Sequence, residues 1–69
     1  MEFGREEFIE REKEIAQFLL RGNTIKQIAL RTGLSRRHVE AHIRNMITKM
    51  KAEDLASLIN LLKSQERMN

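Results

Sequence analysis

Apolar side chains recur every three or four residues along nearly the whole chain, and this spacing restricts the fold to packed helices. No stretch alternates apolar and polar residues in the way of a half-buried strand. The 69 residues include no proline and only three glycines, so little interrupts the helical pattern. We therefore predict an all-α fold, a compact domain of four helices.

The boundaries of these helices are set by residues that cap a helix or end one. We expect a first helix over about 10–20, a short second helix between its cap at Thr24 and Gly33, a third from Ser35 to about Met50, and a fourth that Asp54 caps. The residues that divide them are Gly22 and Asn23, Thr24 with Gln27 in a capping box, Gly33, Ser35 and Asp54. The domain is expected over 8–65, between a flexible segment at 1–7 and a frayed tail at 66–69.

Positive charge is concentrated in the middle of the chain. Residues 21–51 carry eight cations against the single acid Glu40, whereas 1–20 and 52–69 are both net negative. A localised basic segment is typical of proteins that bind polyanions, although a solvated positive face would give the same pattern. Aromatic residues are limited to three Phe, which argues against a platform that stacks single-stranded bases.

A short helix, a glycine turn and a longer basic helix follow one another in this middle segment. Ala29 is small enough for two helices to approach closely, and Gly33 permits a tight turn. The third helix carries Val39 on its apolar side and cations on the other. This order is that of a helix-turn-helix, whose second helix enters the major groove of DNA. We predict that the third helix is the recognition helix and that double-stranded DNA is the partner.

From Arg11 to Met50 the chain carries an ungapped series of residues that is typical of one family. The series is Arg11-Glu12, Glu14-Ile15, Leu19, Gly22, Thr24, Lys26, Ile28-Ala29, Leu34-Ser35, Val39, His42, Asn45 and Lys49-Met50. Because of this series, the chain from Phe8 to Ile59 resembles the DNA-binding domain of LuxR-type regulators. These include the NarL and FixJ response regulators and the spore regulator GerE. The resemblance implies a bacterial transcription regulator that binds an inverted repeat as a dimer.

Residue roles also follow from the resemblance. The positions that match base-contacting sites of the family are His38, Glu40, Ala41 and Arg44. The positions that match phosphate-contacting sites are Thr24, Lys26, Ser35, Arg36, Arg37, Asn45 and Lys49. The chain departs from the family pattern at Ile9 (usually a Thr or Ser cap), Glu40 (commonly Lys), Lys51 (commonly Gly) and Leu55 (commonly Arg).

Glu40 and Arg44 lie four residues apart, so two interpretations are open. Arg44 could bind a guanine and Glu40 the amino group of a cytosine. Alternatively the two could form an ion pair along the helix. At the start of this helix Arg36 and Arg37 oppose the helix dipole, which favours a phosphate partner over simple exposure.

The fourth helix is more apolar than one packing face requires. We interpret the surplus as a dimer interface, with the alternative that all of it covers the core; the residues concerned are Leu55, Leu58, Ile59, Leu61 and Leu62. His42 is expected to be a structural hydrogen-bonding residue beside the core. His38 and His42 lie four residues apart but lack further ligands for a closed zinc site, so we expect neither a metal nor another cofactor.

Other classes of function are less compatible with these residues. No nucleophile–base pair or phosphate-cradling glycine loop is present, so the sequence does not predict an enzyme. No apolar run is long enough to span a bilayer, and a cytoplasmic protein is expected. RNA polymerase is a further partner that the sequence leaves open. The alternatives are a helical protein-interaction adaptor and a DNA-binding module like region four of a sigma factor, which would not dimerise.

Overall fold

Four α-helices form the domain in the computed structural model, which describes residues 7–68, with side chains described for 7–66. They are α1 (Glu10–Leu20), α2 (Ile25–Thr32), α3 (Arg36–Met50) and α4 (Leu55–Met68). No strand occurs among these residues. The predicted all-α, four-helix fold is confirmed.

The predicted caps of the last three helices form as expected. The Thr24 hydroxyl accepts from the Gln27 N–H at 3.1 Å, and the Gln27 side chain accepts in return from the Thr24 N–H. The Ser35 hydroxyl accepts from the His38 N–H, and the Asp54 carboxylate accepts from the Ser57 N–H. Each cap satisfies backbone donors that the first helical turn leaves unpaired.

At the start of α1, Ile9 stands at the N-cap and its side chain has no polar atom to offer. The Glu12 carboxylate instead accepts from the Ile9 N–H at 3.4 Å. This contact is the half of a capping box that the third helical residue supplies. The absence of a Thr or Ser cap therefore does not move the start of α1, which begins at Glu10 as predicted.

The three helix connections each contain a residue with a left-handed backbone. These are Gly22 (φ 88°), Gly33 (φ 78°) and Lys51 (φ 57°). Asn23, which the sequence placed with Gly22 at the end of the first helix, bonds through its side-chain amide to the Phe18 carbonyl. Glycine usually takes this conformation, because a Cβ atom is strained there. Lys51 is the exception, since it is the one of the three that carries a Cβ.

One core joins all four helices. The apolar row of α3 to which Val39 was assigned is buried in full, namely Val39, Ile43, Met46 and Met50. Ile15 and Leu19 of α1, Ile28 and Ala29 of α2, and Phe8 ahead of α1 pack against it. Ala16 belongs to the same core, and the sequence analysis did not single it out.

The apolar residues of α4 separate into core and surface. Leu58 and Leu62 are completely buried within the monomer, so the prediction that they form a dimer interface is wrong. They lie four residues apart on the helix row that faces the core. Leu55 and Ile59 are half-buried against that core, and Leu61 is 38% exposed. Only the outward part of the predicted interface is thus available to a partner.

Both ends of the chain differ in detail from the prediction. α4 continues to Met68, so helical backbone extends through most of the predicted tail. No glycine or proline follows Leu62 to end the helix. At the other end, the predicted segment 1–7 lies outside the described residues except for Glu7, whose carbonyl accepts a hydrogen bond from Lys49.

Candidate nucleic-acid interface

The surface of α3 that points away from the core carries the residues predicted to contact DNA. We call this surface the outer face and define it by Arg36, Arg37, His38, Glu40, Ala41, Arg44 and Asn45. Glu40 and Ala41 are partly buried, and the other five are exposed. Val39 and Ile43, which alternate with these positions, point into the core and fix the rotation of α3 about its axis. The structure therefore brings all four predicted base-contacting residues to one side of one helix.

The polar side chains of the outer face have no partners among residues 7–66. Among residues 7–66 the hydrogen bonds and ion pairs do not involve the side chain of any of them, Glu40 and Arg44 included. The predicted alternative of an ion pair between Glu40 and Arg44 is therefore not formed. Arg36, Arg37 and Arg44 present guanidinium groups whose five donors are all available to a ligand.

The turn between α2 and α3 positions the start of the outer face. The Gly33 N–H bonds to the Ala29 carbonyl, and the Thr32 hydroxyl links the Ile28 carbonyl to the Leu34 N–H. Ala29 is buried beneath this turn. These contacts fix the end of α2 and the entry into α3, which is what a helix-turn-helix needs to present its recognition helix rigidly.

Two helix N-termini reinforce the positive charge. Ser35 caps α3, and Thr24 caps α2 two residues before Lys26, which is exposed and forms no side-chain hydrogen bond or ion pair among residues 7–66. Each cap hydroxyl accepts from a backbone N–H and keeps its own hydrogen to donate. At the start of α3, helix geometry also leaves the N–H groups of Arg36 and Arg37 without helical partners. Such N-termini favour anions such as phosphate.

A second charged group, which we call the inner cluster, joins α1 to α3. It consists of Glu12, His42 and Lys49. The Lys49 ammonium donates to Glu12 Oε1 at 2.7 Å, and His42 Nδ1 lies 3.2 Å from Glu12 Oε2. Lys49 also donates to the Glu7 carbonyl at 3.1 Å. Glu12 is 1% exposed and is the only buried charged residue in the described part of the chain.

The contacts of Glu12 keep it ionised. Burial by itself raises the pKa of this carboxyl, but the hydrogen bonds from Lys49 and His42 and the charge of Lys49 outweigh burial. The backbone N–H of Ile9 adds to them, and the pKa lies below the ordinary value of 4.5. Because a carboxylate only accepts, His42 Nδ1 carries the hydrogen in this contact. His42 thus has the structural hydrogen-bonding role beside the core that the sequence predicted.

The inner cluster changes the interpretation of Lys49. The predicted phosphate contact stays a prediction, but the Lys49 ammonium already has two oxygen partners and its side chain is only 25% exposed. Glu12 was not identified as a site residue. The signal for it was present, because Glu12, Ile15, Ala16 and Leu19 occupy one buried helical row in which Glu12 is the single polar member.

Arg31 is a further cation that sequence reasoning left without a role. Its Nε donates to the Asn23 side chain at 3.1 Å, and Asn23 in turn donates to the Phe18 carbonyl. Arg31 is therefore held against the turn between α1 and α2, unlike the free cations of the outer face.

Two other kinds of site were searched for in the part of the chain that the structure describes. No three side chains among His, Asp and Glu lie close enough together there to hold a metal ion. No helix there combines the length and the apolar composition needed to cross a membrane.

Comparison with known proteins identifies the family. The family model described as bacterial regulatory proteins of the luxR family, with the GerE domain, matches residues 7–62. Searches of curated proteins and of solved structures gave no match. The family match covers all of α1, α2 and α3 and α4 as far as Leu62, and it agrees with the helix-turn-helix geometry around Gly33. The chain therefore belongs to the LuxR family of bacterial regulatory proteins, whose shared domain is a DNA-binding helix-turn-helix.

Proposed function

We propose that this protein binds double-stranded DNA at specific sequences through the outer face of α3 and thereby regulates transcription. The observation that supports this proposal is the unpartnered state of the outer face. Arg36, Arg37 and Arg44 are exposed and free of intramolecular hydrogen bonds and ion pairs in the described residues. Arg36 and Arg37 also oppose the helix dipole, which is unfavourable without an anion.

The proposed division of labour follows from position along α3. Arg36 and Arg37 lie in the first turn with Ser35, and with Thr24 and Lys26 of α2 they are the proposed phosphate-contacting group. Arg44, Glu40, His38 and Ala41 are the proposed groove-facing group. Asn45 lies at the edge of the outer face and is proposed as a phosphate contact. A regulator of bacterial transcription works at the chromosome, so we propose a cytoplasmic location, with RNA polymerase as a further partner.

The test is a titration of labelled duplex DNA with the full chain, followed by fluorescence anisotropy at two salt concentrations. We expect affinity for a pool of duplexes to fall steeply with salt, because bound phosphates release counterions. Arg36→Ala/Arg37→Ala should weaken binding to every duplex about tenfold or more and reduce the salt slope by about two. Arg44→Ala should instead reduce the preference between sequences.

Arg31→Ala is the matched control for these variants, since it removes the same side chain from a position held by Asn23. It should bind duplexes as the native chain does. Absence of duplex binding at low salt would contradict the proposal and favour the alternative of a protein-interaction adaptor.

We also propose that the protein acts as a dimer on an inverted repeat, through the outward side of α4. Leu61 borders a shallow recess at the junction of α3 and α4 that Lys51, Ala52, Ser57 and Asn60 help to line. Because Leu58 and Leu62 belong to the monomer core, the apolar surface left for a second copy is small. A small interface gives a weak dimer, which two half-sites on one DNA duplex would stabilise.

Sedimentation equilibrium distinguishes this arrangement from a monomeric, sigma-like module. The free chain should be largely monomeric at micromolar concentration, and two copies should bind together to a duplex with an inverted repeat. Leu61→Asp should abolish the cooperative second binding event and leave half-site binding intact. Non-cooperative binding by the native chain, equal to that of Leu61→Asp, would contradict the dimer.

A further inference from the structure

Glu40 is the only acidic residue between Glu14 and Glu53, and it is a partly buried member of the outer face. Arg36 and Arg44 are one helical turn away on either side. A glutamate four residues before a cation is in the favourable order for an ion pair on a helix. Yet neither arginine lies within ion-pair distance of Glu40 in the structure of residues 7–66. The carboxylate thus lies between two arginines along α3 and pairs with neither of them among residues 7–66.

A carboxylate at this position is unfavourable for DNA binding unless it accepts a hydrogen bond from a base. The phosphates repel it over distances of about a Debye length, roughly 10 Å at an ionic strength of about 0.1 M. Most of the polar atoms in the major groove repel it too, because guanine N7 and O6, adenine N7 and thymine O4 are acceptors. The only donors on the base edges are the amino groups of cytosine and adenine.

The neighbours of these two amino groups distinguish cytosine from adenine. In an A·T pair the adenine amino group lies between adenine N7 and thymine O4, so acceptors flank it on both sides. In a G·C pair the cytosine amino group has guanine O6 on one side and the apolar C5 edge on the other. A carboxylate therefore meets one repulsive neighbour at cytosine and two at adenine.

We propose that Glu40 is a specificity-determining residue of the outer face, which selects a cytosine and lowers the affinity for every other duplex. This inference rests on the proposed DNA-binding function and adds a division of roles within it. The arginines supply attraction to any duplex, and Glu40 makes that attraction conditional on an amino group in the groove. Its role is thus to exclude wrong sites as well as to bind the right one.

Selection from a pool of randomised duplexes, with the native chain and with Glu40→Gln and Glu40→Ala, tests the proposal. The native chain should select cytosine at one position of the half-site. Glutamine has the same size without the charge and pairs well with adenine N6 and N7, so Glu40→Gln should select adenine at that position. Glu40→Ala should show no preference there.

Affinity for a duplex of unrelated sequence is a second measurement, in which the same substitutions should strengthen binding. Removing the carboxylate removes a repulsion, so both variants should bind such a duplex several-fold more tightly than the native chain. Both variants should keep the helical content and the thermal unfolding of the native chain, since Glu40 has no bonding partner among residues 7–66 to lose.

Glu10→Gln is the matched control, because it makes the same change of charge on α1, where the Glu10 side chain is 92% exposed. It should select the same sequence as the native chain. The proposal would be overturned if Glu40→Gln and Glu40→Ala kept the native sequence preference. It would also be overturned if the native chain selected no cytosine at any position that the Glu40 variants change. Failure of every protein to bind any duplex at low salt would instead reject the proposed DNA-binding function itself.

Discussion

The inner cluster and the outer face both include charged or polar side chains of α3, but the surroundings of these side chains differ. In the inner cluster each of the three charged or polar side chains bonds to another, and Glu12 is almost completely buried. On the outer face the charged side chains are unbonded in the structure of residues 7–66. Partnered groups hold α1 against α3, whereas unpartnered groups remain available to a ligand.

Lys26 and Lys49 show the same difference between unpartnered and partnered side chains in two single residues. Both match family positions predicted to contact phosphate. Lys26 is exposed and free of side-chain bonds in the described residues, but Lys49 donates to Glu12 and to the Glu7 carbonyl. The comparison therefore predicts that equivalent substitutions at the two lysines will affect different properties of the protein.

The largest effect is expected from Lys49→Met, which leaves the carboxylate of Glu12 buried without its main partner. Loss of one member of a buried ion pair costs about 3–5 kcal/mol, and the partial exposure of Lys49 reduces the expected loss to about 2–4 kcal/mol. Urea denaturation measures this change in the free energy of unfolding. Lys26→Met, the matched control, should unfold as the native chain does and should weaken duplex binding instead.

If Lys49→Met is too unstable to fold, Glu12→Leu/Lys49→Met keeps the test open. Replacing both partners of a buried pair by apolar residues is often neutral or stabilising. We expect the double variant to recover part of the lost stability. Equal effects of Lys26→Met and Lys49→Met on unfolding would show that the inner cluster contributes nothing to the fold.

A smaller effect is expected from acid. The pKa of Glu12 is lowered in the folded state, so its contribution to stability is complete above the ordinary pKa near 4.5. That contribution is lost as the pH falls below 4.5 through the lower folded-state pKa. The free energy of unfolding should therefore decrease with acid in this range, and the slope should be smaller in Glu12→Gln. A native slope no steeper than that of Glu12→Gln would contradict an ionised Glu12 in the folded protein.

The smallest effect is expected at Lys51, which ends α3 with a φ of 57°. Lys51→Gly removes a strained Cβ and should raise the free energy of unfolding by about 0.5–1 kcal/mol. Lys51→Ala removes the same charge but keeps the Cβ, so it should give no such gain. Neither variant should change the sequence preference for DNA. Equal stability of the two variants would show that backbone strain at this position is negligible.

Local sequence signals were sufficient for the helices and their caps. Each cap side chain bonds to a backbone N–H only three residues away, as the side chains of Ser35, Asp54, Thr24 and Gln27 do. Apolar spacing likewise identified the core row of α3. These features depend on short-range geometry, which the sequence specifies directly.

Long-range features were harder to predict. Glu12 is separated by 30 residues from His42 and by 37 from Lys49, and no local rule pairs residues at such separations. In α4, the surplus of apolar residues indicated a core-facing surface and an outward surface, but not which leucine lies on which surface. Leu58 and Leu62 were therefore assigned to the outward surface, although they lie in the core. The residues of the outer face were predicted from two sources, the position of α3 after the Gly33 turn and the family resemblance.

The most direct test of the central claim is to map duplex binding onto the backbone amides of the full chain by NMR. Added duplex should shift the amides of Thr24, Lys26 and residues 35–45, most strongly at the start of α3. The amides around Glu12 should shift little. Shifts confined to α4 and the recess beside Leu61, or no shifts at low salt, would contradict a DNA interface on the outer face.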